Sequence, residues 1–470
     1  MTLLACCVAQ MLVVLDSSIL TVALPQLAAD LGMTPGDLPW AVNAFAIPIA
    51  GLLLLGGQLA DVFGARRILI VGVCLFALAS FGGGIAPTSE VLIASRVVQG
   101  AAAALMAPAT LALLSQSFPA GPSRSRAFGL WGAAAGSGGA IGVLAGGVLI
   151  EWANWRWTLL VNVPVCLGLA LVLALGRRSN VIDRKVRQLD PLGALTITTA
   201  VAAIVLGISS ITSGASGPSP ALYFSVGVAA LVLFVCVELW WAKRPLLPLR
   251  AFAQEGLWAM PLAMLFVGGA MTASFYFLTL HFQIFRGLTP LLTGLSFLVL
   301  SVAAFAAAAN AHLLVRAVGG SKAAISGTVV MAASLLVISL VADNDTLIGV
   351  LVASAGFGAG MGITISTLAD LVTGSFPPTS AGVASGVLTT AQQIGNATGL
   401  AAIVVVDANA GGLSHSSAFA AAALLAGFAS VWLLAIALWP MSRKSANSGQ
   451  GGRLSGSTAP AERTPAVGDY

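Results

Sequence analysis

Charge is scarce in this chain. Lys and Arg number 21, Asp and Glu 16, together 8% of 470 residues. A soluble domain carries about a quarter charged residues, so most of this surface cannot face water. Hydrophobic residues make up 58%, and the mean hydropathy is +0.99. Histidine and tyrosine are as rare, at three each. The five cysteines, Cys6, Cys7, Cys74, Cys166 and Cys236, fall in apolar stretches without metal-ligand spacing. They read as small packing residues, and no metal site is expected. A Gly-x-x-x-x-Gly-Lys-Ser/Thr loop is missing, which excludes an ATP-driven pump of that type. Neither a catalytic triad nor a nucleotide fingerprint appears, so no enzyme and no cofactor is expected. A formal net charge of +5 does not point to nucleic acid, because the basic residues cluster in short loops on one side.

What the chain has instead is apolar stretches of bilayer length, about 20 residues each. Spans are expected near 3–24, 38–59, 68–86, 90–115, 127–150, 157–176, 191–212, 220–242, 257–283, 289–315, 323–342, 346–371, 382–406 and 417–439. The 53 glycines suit close helix approach in a membrane. The first stretch has no basic leader region and no cleavage site, so it reads as a retained helix. The near absence of residues ahead of it leaves open a start further upstream.

Basic residues set the orientation. Arg66 and Arg67 follow span two, Arg124 and Arg126 span four, and Arg177, Arg178, Arg184, Lys185 and Arg187 span six. Lys243, Arg244 and Arg250 follow span eight, Arg316 and Lys322 span ten, and Arg443 and Lys444 span fourteen. All of these loops share one side. The other side carries mainly Asp30, Asp37, Glu90, Glu151, Asp343 and Asp345, with Arg156 and Arg286 as exceptions. The positive-inside rule then places both termini in the cytoplasm of a bacterium, with the chain spanning its inner (plasma) membrane. The tail, 441–470, is rich in Gly, Ser, Ala and Pro from Ser445 onward and is expected to be disordered.

A parallel repeat is visible. Ser117-Phe118-Pro119 matches Ser375-Phe376-Pro377, and Gly138 and Gly142 match Gly395 and Gly399, at an offset of about 255 to 258 residues. His312 to Lys322 is a weaker echo of Gly57 to Arg67. Spans seven and eight have no counterpart. The expected fold is all-α and polytopic: a six-helix half at 1–176, a two-helix insert with its loops at 177–250, and a second six-helix half at 251–440. Repeats of this kind mark secondary transporters, with a substrate site between the halves.

Four segments carry chemistry. Gly57-Gln58-Leu59-Ala60-Asp61-Val62-Phe63-Gly64-Ala65-Arg66-Arg67 lies between spans two and three. Gly57 and Gly64 permit tight packing and a sharp turn, Asp61 can pair with a cation, and Arg66 and Arg67 anchor the loop. Asp16 sits mid-span in Leu15-Asp16-Ser17-Ser18-Ile19, at a cost of about 2.5–3.5 kcal/mol if charged. Arg96, in Ser95-Arg96-Val97-Val98-Gln99-Gly100, is the one Arg or Lys inside an expected span. It stays charged and therefore needs a partner or a watery cavity. Span five is glycine-rich around Gly138, Gly142, Gly146 and Gly147.

Taken together these segments resemble the major facilitator superfamily, and its fourteen-span drug:proton antiporter branch in particular. Gln283-Ile284-Phe285-Arg286-Gly287 and the stretch from Ala381 through Gln392, Gln393, Gly395, Asn396 and Gly399 extend the likeness to the second half. The resemblance implies a proton-coupled exporter of amphipathic drugs or antibiotics, driven by the proton gradient and acting as a monomer. It assigns proton coupling to Asp16 and Arg96, and a cytoplasmic gate to Gly57, Asp61, Gly64, Arg66 and Arg67. It gives helix packing against the opposite half to Gly138, Gly142, Gly146 and Gly147, and a substrate cavity to Asn43, Gln99, Gln283, Gln392 and Asn396. Two departures stand out: Val143 replaces a usual proline, so the span-five bend is expected to weaken, and Phe45 replaces a frequent tyrosine. A dedicated exporter of one endogenous metabolite is the alternative. A channel would need a polar filter and a sensor a signalling domain, and neither is apparent.

Overall fold

The computed structural model describes residues 1–34, 36–118, 122–175, 190–213, 219–241, 259–342, 347–375, 381–410 and 415–450. Among the described residues fourteen long helices run in chain order. They are α1 (Thr2–Leu31), α2 (Trp40–Phe63), α3 (Ala65–Gly84), α4 (Ser89–Ser117), α5 (Pro122–Trp152), α6 (Trp157–Leu175) and α7 (Pro191–Ser213). Then come α8 (Pro220–Trp241), α9 (Ala259–Phe285), α10 (Pro290–Val318), α11 (Gly320–Val341), α12 (Leu347–Ser375), α13 (Ala381–Ala410) and α14 (Ser416–Gln450). Thirteen are long and apolar enough to cross a membrane. The other, α13, has the length at 30 residues, but Gln392, Gln393 and Asn396 lower its hydropathy. The helices overrun the expected spans. α1, for example, continues past residue 24 to Leu31, where Gly32 at φ 63° closes it and the Met33 N–H reaches back to the Ala28 carbonyl at 3.0 Å.

Packing follows the repeat. α1 lies on α5 as α9 lies on α13, α2 on α4 as α10 on α12, and α3 on α4 as α11 on α12. The seams between halves are also paired: α2 meets α13 and α5 meets α10. Even the turns correspond, with Gly64 at φ 95° between α2 and α3 and Gly319 at φ 88° between α10 and α11. The arrangement is two six-helix halves plus two inserted helices. Of the insert, α7 touches α2 and α13, whereas α8 packs mainly on α7. Only 22% of the most apolar stretch of α8 is buried, against 67% for α2 and α9.

The apolar core is unequal at the two ends. At the face expected outside, Leu20, Leu24, Leu27, Trp155 and Leu159 share one core with Phe277, Phe282, Phe297, Leu335 and Phe419, so both halves meet there. Towards the other face, the amino-terminal half has its own core, from Ala5 through Leu53, Leu69, Phe76 and Leu113 to Leu173. Among the described residues that second core contains none from the carboxyl-terminal half, whereas a third joins Ala46, Ile47 and Ala50 of α2 to Ala397 and Ala401 of α13 through α7.

One expectation is corrected. The tail does not become irregular at 441, because α14 runs on to Gln450. A helix already nucleated in the span extends at one hydrogen bond per residue, and Met441, Arg443, Lys444 and Ala446 favour it. Residues 451–470 lie outside the described residues, as do Arg177, Arg178, Arg184, Lys185, Arg187, Lys243, Arg244, Arg250, Asp343 and Asp345.

Candidate functional site

Asp16 and Arg96 meet. Asp16 is halfway along α1 and wholly buried, and Arg96 on α4 is 1% exposed. The Arg96 Nη1 donates to Asp16 Oδ2 in a close ion pair. The i to i+3 spacing in α4 sets Gln99 on the same face. Its Nε2 donates to Asp16 Oδ1 at 3.1 Å and to the Ser80 hydroxyl at 2.8 Å, while its Oε1 accepts from Arg96 Nη1 at 2.9 Å. From α6, Asn162 Nδ2 donates to Asp16 Oδ1 at 2.7 Å. Arg96 is further held by the Ala41 carbonyl, 3.1 Å from Nε, and by the Phe45 ring, whose centroid lies 4.2 Å from the guanidinium carbon. The phenyl of Phe45 thus serves as a cation–π platform. Five helices, α1 to α4 and α6, build this buried polar network.

Sequence reasoning missed Asn162 and Ser80 as partners of the pair. Gln99 was expected to line a substrate cavity; it is instead wholly buried and committed to Asp16, Arg96 and Ser80. Asn43 is also fully buried, and neither of its amide atoms has a partner among the described residues. Gln283 spans the halves: its Nε2 donates to the Val22 carbonyl of α1 at 2.8 Å. Gln392 and Asn396 face α9. Turned to suit its neighbours, the Asn396 amide nitrogen lies 2.9 Å from the Gly268 carbonyl and 3.0 Å from the Thr272 hydroxyl.

The glycines of α5 divide between two neighbours. A Cβ at Gly138 would lie 2.8 Å from the Met11 carbonyl oxygen, at Gly142 2.8 Å from that of Leu15, and at Gly146 2.9 Å from that of Ile19. This stripe therefore packs on α1 of its own half, not on the opposite half as expected, because residues four apart share one helix face. Gly147 does cross: a Cβ there would meet the Pro290 carbonyl of α10 at 2.8 Å. The Val143 carbonyl backs onto Gly294 of α10, and α5 is one continuous helix through this point.

At the expected gate, Gly64 makes the turn at φ 95°, a conformation glycine adopts without strain. Arg66 chelates the Leu173 carbonyl at the end of α6, with Nε at 2.8 Å and Nη2 as second donor. Gly57 sits against Pro108 of α4, while Asp61 and Arg67 are exposed. Gln58 accepts from the Asp190 N–H at 2.8 Å, tying this segment to the start of α7. Glu238 is buried near Gly193 of α7. Among the described residues no group of three or more His, Cys, Asp or Glu could hold a metal ion.

The architecture and the buried charge pair together define a membrane transporter. The chain belongs to the Major Facilitator Superfamily, whose family model matches residues 6–400. The cephamycin export protein of Amycolatopsis lactamdurans is 38% identical over 85% of this chain and 83% of its own length. The puromycin resistance protein of Streptomyces alboniger is 37% identical over 86% of this chain and 80% of its own. A multidrug efflux pump of Mycolicibacterium smegmatis is 28% identical over 84% and 78%. Among solved structures, a D-xylose–proton symporter superposes with a TM-score of 0.65 at 14% identity, covering 92% of this chain and 96% of that one. That likeness concerns the fold.

Proposed function

We propose that this chain is a proton-coupled secondary transporter that exports amphipathic drugs or antibiotics from the bacterial cytoplasm, with both termini inside. The observation that carries the reading is Asp16, a carboxylate wholly buried mid-span beside Arg96. Groups so placed are costly and mark ion pathways. A carboxyl that binds a proton in the outward state and releases it in the inward state drives antiport, provided substrate and proton favour opposite states. Arg96 keeps its charge and tunes the exchange without carrying the proton. The shared core at the outer face and the separate inner core fit an inward-facing conformation. One proton crossing 100 mV supplies about 2.3 kcal/mol, enough for a gradient of roughly 40-fold.

A second reading has its own support. Relatives at 38% and 37% identity are named for a single antibiotic each, whereas the multidrug relative stands at 28%. A dedicated exporter of one self-made metabolite fits those names. Inverted membrane vesicles with an imposed pH gradient, given ethidium, puromycin and a cephamycin, test both. Uptake that a protonophore collapses supports the proton-coupled exporter; uptake indifferent to the gradient overturns it. Several substrates favour the multidrug reading, one alone the dedicated exporter.

A further inference from the structure

Every described group that hydrogen-bonds Asp16 presents an N–H. Arg96 has donors only, so Oδ2 cannot take a proton without losing its ion pair. Oδ1 faces the amide nitrogens of Gln99 and Asn162, at 3.1 and 2.7 Å. This arrangement suits the carboxylate. A proton arriving on Oδ1 forms an O–H bond, and that donor needs an acceptor where burial makes an unmade hydrogen bond costly. Gln99 cannot offer one by turning its amide, since its Oε1 already serves Arg96 at 2.9 Å. Asn162 can, because its Oδ1 is buried and has no hydrogen-bond partner. A half-turn about Cβ–Cγ costs the oxygen no existing hydrogen bond and swings the carbonyl onto the new O–H, exchanging an unpaired buried carbonyl for an unpaired buried N–H group.

We propose that Asn162 is a positioning residue that partners both protonation states of Asp16, donating to the carboxylate and accepting from the acid. The inference rests on the reading of Asp16 as the proton carrier. The proton comes from the aqueous side to which the site opens. One O–H bond forms at Oδ1 and later breaks, and the amide rotates with no bond made or lost. The charged and titratable groups around Asp16 are Arg96 from α4 and Cys166, one turn beyond Asn162 in α6. From α2 the network receives the Phe45 ring and the Ala41 carbonyl, from α3 Ser80, and α5 presents glycines.

Infrared titration of the purified full-length protein tests this without a substrate. The carboxylic-acid C=O band of Asp16 should grow in as pH falls and be absent in Asp16→Asn. In Asn162→Leu the carboxylate loses one of its three N–H partners and keeps Arg96 and Gln99, whereas the O–H of the acid loses its sole acceptor. The midpoint should therefore move to lower pH by about one unit, a tenfold loss of proton affinity. Asn162→Ser, whose hydroxyl both donates and accepts, should stay near the wild-type midpoint. An unmoved midpoint in a folded Asn162→Leu, or an equal shift in both variants, overturns the proposal. Should Asn162→Leu fail to fold, the wild-type spectrum decides: a side-chain amide band that moves with the carboxyl band supports the flip, and a fixed one overturns it. Persistence of the acid band in Asp16→Asn would instead remove the reading of Asp16 on which this rests.

Discussion

A lone carboxylate in a bilayer costs about 2.5–3.5 kcal/mol on insertion scales. At Asp16 that cost is offset by a guanidinium and two amides. Removing the cation would leave a buried charge without its counter-ion, a loss of about 3–5 kcal/mol. Arg96→Ala is therefore expected to abolish transport and to lower thermal stability in detergent. Arg96→Lys retains the charge but not the fork that serves both Asp16 and Gln99, so partial activity is expected. Transport by Arg96→Ala at the wild-type rate would rule out any coupling role. The pair itself was legible in the sequence, because Asp16 and Arg96 are ionisable residues where the hydropathy pattern allows almost none. Asn162 and Ser80 were not. Uncharged polar side chains are common within membrane helices, and Asn162 is 146 positions from the carboxylate it bonds.

At the scale of the element, the glycines were recognisable as packing residues, but their direction was not. A periodicity of four defines a face without saying which neighbour lies against it; contact with α1 emerges only once the bundle is assembled. Gly142→Leu would drive a side chain into the Leu15 carbonyl and Ser18, and is expected to destabilise the amino-terminal half by about 1–3 kcal/mol or more, read as a lower melting temperature. Gly147→Ala acts on the α5–α10 seam between halves. It should bias the protein towards the outward-facing state while the fold persists, seen as faster alkylation of a cysteine placed at that seam. Slower alkylation would argue against this seam as part of the outer closure. The insert makes a third case. Since α8 packs mainly on α7 and is largely unburied, cysteines along α8 should react with a lipid-soluble maleimide without protection by substrate. Protection along α8 would place it at the translocation path.

For the whole molecule, the number of helices, the repeat and the orphan pair were readable from hydropathy and motif spacing. Which face of the bundle is closed was not, because one sequence must encode both alternating states. The orientation can be checked with cysteines at Ser179, Asn344 and Ser445. Ser179 and Ser445 should label from the cytoplasm and Asn344 from outside, and labelling of Ser179 and Asn344 from one side would break the fourteen-span topology. The central claim is that Asp16 couples protons to export. Its most direct test is the purified Asp16→Asn variant in liposomes under a fixed proton gradient, with the substrate identified by the vesicle panel. The variant should be folded and inserted, should bind that substrate with little change in affinity, and should release no proton on binding and sustain no uphill transport. Uphill transport at the wild-type rate would contradict the account and move the search for the proton site to Asp61 at the expected gate and the buried Glu238.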